Sequence, residues 1–390
     1  MTTMSQSTPQ RTAAATSETR EAVPLCRNIA SRLQFLRRGQ HDRKRVFEPL
    51  PEPSKERLNA SLNDTPVDTQ VLVASHTPAT IEKEKTVLYL AYGSNLCNET
   101  FRGKRGIQPL SQVNVLVPTL RLTFDLPGIP YAEPCFANTA LRVPDATPPV
   151  SSDDYHKDRW HKGLVGVVYE VTLSDYAHII ATEGGGSSYQ DILVDCYVLP
   201  ASATVPSTPS SNPFKAHTLF APNVKDDGAT RTSDRTTRPD PSYAQPSARY
   251  LKLITDGAIE RELPAEYQTY LHYIRPYTIT TKKQAMGKML FLAIWGPIIT
   301  LLFALSGQLQ DKKGRVPKWF GTLMAMVFGG MWVSYDELFK KVFGDGERTV
   351  RNGGDDVVRG REVGGDGEKA ALLEEEFRTL DAQGGRRRVW

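Results

Sequence analysis

Tyr92-Gly93-Ser94-Asn95 follows directly on the apolar run Val87–Ala91. The run has the length of a buried strand. Gly93 permits a sharp turn and lets a ligand approach the backbone closely. Ser94 and Asn95 place short polar side chains and open amides just past the strand end. Several N–H groups facing one way can hold a carboxylate or a developing oxyanion. An ordinary strand-to-loop turn uses the same residue types, so the motif alone decides nothing. Glu183 is the second candidate. It follows an apolar helical stretch and precedes Gly184-Gly185-Gly186. A carboxylate at a partly buried rim has its pKa raised toward a value useful for proton transfer. Water-exposed at a helix end, it would be unremarkable. Glu170 is a rival carboxylate, but its place in Tyr169-Glu170-Val171 reads as structural.

Four segments, in order, resemble the γ-glutamylcyclotransferase family. Tyr92-Gly93-Ser94-Asn95 is similar to the family's signature after the first strand, and Gly163–Val171 resembles its Gly-x-x-Tyr-Glu-Val strand. Glu183-Gly184 with Tyr189 stands where the family carries its catalytic Glu-Gly and a nearby Tyr. Pro246–Tyr250, Asp256-Gly257-Ala258 and Leu263-Pro264-x-x-Tyr267 are similar to its C-terminal helices. Together they span Thr86–Leu199 and Ser247–Ile274, under half of the chain.

The resemblance implies a lyase that cyclises a γ-glutamyl group to 5-oxoproline without metal or cofactor. It makes Glu183 the catalytic general acid/base. It assigns Tyr92, Gly93, Ser94, Asn95, Leu96 and Cys97 to a loop that holds the glutamyl α-carboxylate and carbonyl. Tyr250 becomes a further contact through its hydroxyl. Tyr189 either orients Glu183 or is a core residue. The tails and the Pro-rich insertion look like those of filamentous-fungal members, where a glutathione-related substrate is plausible; γ-glutamyl amino acids are the other leading class. Two alternatives stand: a γ-glutamylamine cyclotransferase, or a catalytically idle binding or scaffold domain. The run Gly184–Ser188 departs from a typical family loop, which leaves substrate preference open.

Elements must position these groups. Strands are expected at Val87–Tyr92, Val113–Val117, Leu120–Phe124, Cys135–Leu141, Gly163–Val171 and Ile192–Val198, with a helix over Ser174–Thr182 capped by Ser174. The expected class is α+β: a small mixed or antiparallel β-barrel-like sheet with flanking helices. Residues 86–277 form the expected catalytic domain. Residues 1–85 read as a disordered N-terminal region containing one short basic helix around Leu25–Leu36. Residues 201–246 read as a disordered insertion, since they are dense in Pro, Ser, Thr and Asp.

Met289–Leu305 and Trp319–Tyr335 carry no charge. Each is about 17 residues, the lower limit for spanning a bilayer. They predict a two-helix transmembrane hairpin within 286–336, then a flexible tail over 337–390. A cytosolic substrate would place the catalytic domain and both termini in the cytosol; charge does not decide orientation, and no organelle is indicated.

Bulk composition agrees. In 390 residues, apolar content is 39%, with 27 Pro and 29 Gly. That is low for a chain folded throughout. The net charge of +4, with both signs mixed, shows no nucleic-acid footprint. The expected partners are a small γ-glutamyl substrate and a membrane; protein partners are unknown. Cys26, Cys97, Cys135 and Cys196 have neither metal nor disulfide spacing, and the histidines show no metal-ligand pattern.

Overall fold

The computed structural model describes residues 46–68, 85–142, 159–182, 190–220, 238, 243–309 and 317–350. Glu183, Tyr189, Cys26 and the N-terminal basic stretch lie outside the described residues.

Among the described residues, five strands make the main sheet. β1 (Thr86–Ala91) pairs antiparallel with β5 (Leu164–Thr172), from Thr86↔Thr172 to Ala91↔Val167. On its other edge β5 pairs antiparallel with β2 (Ser111–Val117). β2 then meets β6 (Gln190–Val198) at Val115↔Val198 and Leu116↔Tyr197. β6 pairs along its length with β7 (Pro213–Phe220). A parallel bridge at Tyr89↔His217 returns β7 to β1, closing the order β1-β5-β2-β6-β7 into a barrel. Closure removes exposed sheet edges. β1 and β5 are almost wholly buried on both faces, as their unbroken Val, Leu and Tyr content requires. β3 (Leu120–Ile129) and β4 (Glu133–Leu141) form a separate hairpin, with a register shift between Thr123 and Leu126.

α1 (Lys55–Ala60) is capped by Ser54, which accepts from the Arg57 amide. α2 (Leu173–Thr182) lies between β5 and β6. Its first turn is capped by Thr172 Oγ1, which accepts from the Asp175 amide at 3.1 Å, not by the expected Ser174. Ser247 caps α3 (Ala248–Glu260), accepting from the Tyr250 amide at 3.0 Å. α4 (Ala265–Tyr273) follows.

Three regions expected to be disordered contribute ordered structure. Residues 46–68 pack on the barrel: Arg57 reaches the Thr86 carbonyl and Asp64, and fully buried Ser61 accepts from the Lys215 amide. The supposed insertion supplies β7, which buries Phe214, Ala216 and Leu219. The supposed tail also contributes, with Glu347 only 1% exposed. The reason is common to all three. Residues 46–68 and 344–350 are locally polar, and β7 is a short strand inside a polar stretch; the groups that order each lie in other segments, where composition cannot show them.

Apart from Pro317, the described residues from Lys282 to Phe343 are helical. α5 (Lys282–Leu309) continues past an internal Pro297, and α6 (Lys318–Ser334) returns beside it, with Trp295 Nε1 donating to Ser334 Oγ at 3.0 Å. The chain continues through a wide helical turn, Tyr335–Phe339, into α7 (Lys340–Phe343). A second hydrophobic cluster forms here from Phe291, Ile299, Met331, Trp332, Tyr335 and Phe339, together with Tyr131 from the β3–β4 turn. Among the described residues one helix, α5, is long and apolar enough to cross a membrane, and only 17% of its apolar window is buried. The expected two-helix hairpin is therefore met by one qualifying span; α6 is shorter, at 17 residues.

Candidate active site

Where β1 ends, the chain makes a tight turn. The Leu96 amide donates to the Gly93 carbonyl at 3.0 Å, and the Cys97 amide to the Ser94 carbonyl at 3.2 Å. Both amides are thereby consumed by the turn and cannot serve a ligand. Leu96 is fully buried in the core, and Cys97 is 5% exposed. These two expected contacts stand behind the site and not in it.

Tyr92, Gly93, Ser94, Asn95 and Tyr250 do converge. With Tyr89, Ala137, Thr218 and Leu219 they line one cleft of about 400 Å³, counting its open mouth. The Gly93 φ of −107° is accessible to any residue. What glycine supplies is room: a Cβ there would stand 3.3 Å from Tyr250 Oη and 3.4 Å from Ala137 Cβ. Tyr250 Oη accepts from the Ala137 amide at 3.2 Å, and Phe136 meets the Tyr250 ring edge-on at 5.0 Å.

The turn is gripped from behind. Asn95 Nδ2 donates to Tyr89 Oη at 2.9 Å. Tyr169 Oη donates to the Asn95 carbonyl at 3.4 Å. Burial pushes the Tyr169 phenol up to about 12, so it stays protonated and a donor at neutral pH. Arg261, 5% exposed, donates from Nε to the Leu96 carbonyl at 3.2 Å and from its other nitrogens to Gln112 and Asn98. Its guanidinium also lies over the Tyr169 ring, 5.6 Å from the centroid. α3 presses so closely that a Cβ on Gly257 would stand 2.5 Å from the Cys97 amide nitrogen.

Sequence reasoning missed Tyr89, Ala137, Thr218 and Leu219. Tyr89 offered a signal, being the tyrosine inside the apolar run; Ala137 offered none. Thr218 and Leu219 were hidden in the supposed insertion. Glu170 is structural, as expected: its carboxylate accepts from Thr86 Oγ1 and Ser111 Oγ, each at 2.8 Å. Cys97, Cys135 and Cys196 are buried and form no disulfide, and burial pushes the Cys196 thiol well up, which makes it inert.

A closed β-barrel with a small cleft, walled by a backbone turn and phenol groups, defines a protein that takes a small polar ligand. Known proteins agree. The chain is 32% identical over 262 residues to the γ-glutamyl cyclotransferase gliK of Aspergillus fumigatus, covering 67% of this chain and 89% of that one. It is 31% identical over 274 residues to the γ-glutamyl cyclotransferase aclK of Aspergillus oryzae, covering 68% and 92%. The chain belongs to the γ-glutamyl cyclotransferase family of enzymes. The family model of the AclK C-terminal domain matches residues 281–342. A solved γ-glutamyl cyclotransferase structure aligns at 22% identity and a TM-score of 0.33, over 51% of this chain and 93% of its own.

Proposed function

We propose that the chain releases 5-oxoproline from γ-glutamyl peptides, glutathione-related compounds or γ-glutamyl amino acids, with Glu183 as general acid/base. The observation that carries this reading is the meeting of Tyr92–Asn95 with Tyr250, from opposite ends of the catalytic domain, on one small cleft.

The chemistry asks little of the protein. The substrate's α-amine attacks its own γ-carbonyl carbon. The bond to the leaving nitrogen breaks, and the ring closes as 5-oxoproline. Holding the glutamyl group in its near-attack shape supplies a large share of the rate. Amides of the Gly93–Asn95 turn stabilise the oxyanion. One carboxylate takes a proton from the α-ammonium and returns it to the leaving amine. Support for Glu183 in this role comes from the strand after its segment, which pairs with the cleft wall. Asp191 pairs with cleft-lining Leu219, and Tyr176 of α2 donates to Asp191 Oδ1 at 2.6 Å.

We further propose that α5 and α6 attach the protein to a membrane as a hairpin, with the catalytic domain facing the cytosol. Exposed Ile294, Leu301, Phe303 and Met326 support this reading. The test of activity is incubation of the purified protein with glutathione, γ-glutamylalanine and γ-glutamylamines, followed by assay of 5-oxoproline. Release from the peptides is expected. Release from the amines alone would favour the amine-specific reading, and release from none would sink the assignment.

A further inference from the structure

Tyr131 sits at the tip of the β3–β4 hairpin in the left-handed region, with φ 62°, yet it is 1% exposed. A non-glycine residue in that conformation is strained and persists only when its surroundings over-determine it. Here the surroundings are all C-terminal. Tyr131 Oη lies 2.7 Å from the Gly344 carbonyl and 3.1 Å from that of Phe339, and the Tyr131 amide donates to the Gly346 carbonyl at 2.7 Å. Its ring packs on Phe291 and Tyr335. A Cβ on Gly346 would lie 2.9 Å from that ring, so the socket is shaped around it.

The hairpin so held is the structure that grips Tyr250. Two residues beyond Tyr131, Glu133 Oε1 accepts from Ser247 Oγ and Arg249 Nε, each at 2.8 Å. Ser247 in turn caps the helix turn that carries Tyr250. Further along the same strand are Phe136, against the Tyr250 ring, and Ala137, whose amide donates to the Tyr250 hydroxyl. The segment leading into α3 is tied to the same C-terminal stretch. The Gln245 amide donates to the Glu347 carbonyl at 2.9 Å, the Thr349 amide to Gln245 Oε1 at 2.6 Å, and Tyr243 Oη to Asp345. Arg238 locks that stretch to the helices, bridging Asp336 and Glu347 while stacking on Trp332 at 4.2 Å.

We propose that the C-terminal helical unit is a brace for the substrate cleft, with Tyr131 and Tyr243 as positioning residues that act through Tyr250. This assigns the unit a part in substrate binding beyond any anchoring role. The inference rests on the reading of Tyr250 as a substrate contact.

The test is a pair of double-mutant cycles on the full-length protein, with glutathione and γ-glutamylalanine as probes. Tyr131→Phe and Tyr243→Phe each remove one hydroxyl and keep the ring, and each is made alone and combined with Tyr250→Phe. Each single variant is expected to raise KM by about tenfold, the size of one lost hydrogen bond, with kcat less affected. In the Tyr250→Phe background the further rise should shrink to under about twofold, since coupled residues are not additive. A merely structural role would lower the melting temperature and leave KM alone, or raise it equally in both backgrounds; either result overturns the brace. If Tyr131→Phe does not fold, the milder Tyr243→Phe cycle decides. Native KM in Tyr250→Phe alone, or no turnover by the native chain of these probes and of γ-glutamylamines alike, would overturn the underlying reading and this one with it. Raised KM in Tyr250→Phe, with native KM in the other two, would overturn only the brace.

Discussion

At the scale of single residues, the proposed reading divides the work: Glu183 would move the proton and Tyr250 would hold the substrate. Glu183→Gln keeps size and hydrogen bonding but removes the shuttle. A loss of about 10²-fold or more in kcat is expected, with the fold intact by circular dichroism. Near-native 5-oxoproline release from that variant would remove Glu183 from the mechanism. Tyr250→Phe should weaken substrate binding by roughly 1–2 kcal/mol, partly because the buried Ala137 amide loses its acceptor. Gly93→Val acts by space alone. Its Cβ already meets Tyr250 Oη at 3.3 Å, so the added methyl groups must fill the cleft or push Tyr250 aside. Turnover by Gly93→Val should fall steeply while thermal stability changes less. Native kinetics in both variants would place the pocket elsewhere.

At the scale of elements, β7 changes what the chain tolerates. Composition alone makes 201–246 expendable, since a long surface insertion adds little closure cost. The barrel contradicts that. Deleting Ala201–Gln245 removes the strand that pairs β6 along its length and closes onto β1, and it removes Arg238 as well. The deleted protein is expected to be unfolded or aggregated by circular dichroism and gel filtration. A shorter deletion confined to 223–236 keeps β7 and Arg238 and should retain the native melting temperature within a few degrees. A folded, monomeric product from the longer deletion would show that β7 is dispensable. α5 carries the same lesson. It is fastened to the core through Tyr131 and the 344–349 stretch, so truncation before Lys282 is a poor test of membrane attachment.

For the whole molecule, the better test uses the exposed face of α5. Ile294 and Leu301 are 53% and 60% exposed. Lysine at either position costs a membrane helix about 2.5–3.5 kcal/mol near its centre. In water the same exposed changes cost within about 0.5 kcal/mol. The native chain, expressed in a cell with a secretory pathway, should resist alkaline carbonate extraction, and the doubly substituted Ile294→Lys, Leu301→Lys chain should be extracted. A native chain that washes off in carbonate refutes the hairpin. Orientation is read from N-glycosylation acceptors. Asn59 and Asn63 are exposed and informative. Asn98 is not, because buried Arg261 engages its side chain. With the catalytic domain in the cytosol, Asn59 and Asn63 should stay unmodified; glycans there would reverse the orientation.

The sequence by itself determined the strands β1 to β6, the helix before Glu183, the Tyr92–Asn95 turn and the family. These are local facts. An apolar run of strand length, a glycine at a turn and a fixed order of motifs can all be read without knowing what packs on what. Only the tertiary structure decided that Leu96 and Cys97 face the core, that Thr218 and Leu219 wall the cleft, and that the segments around Arg57, β7 and Glu347 are built in. Their order comes from partners in other segments: Thr86 for Arg57, the preceding strand β6 and Tyr89 of β1 for β7, and Arg238 and Gln245 for Glu347. A polar residue shows its own hydrogen-bonding capacity in the sequence, but its partner is set by chain closure, and closure has no local signature.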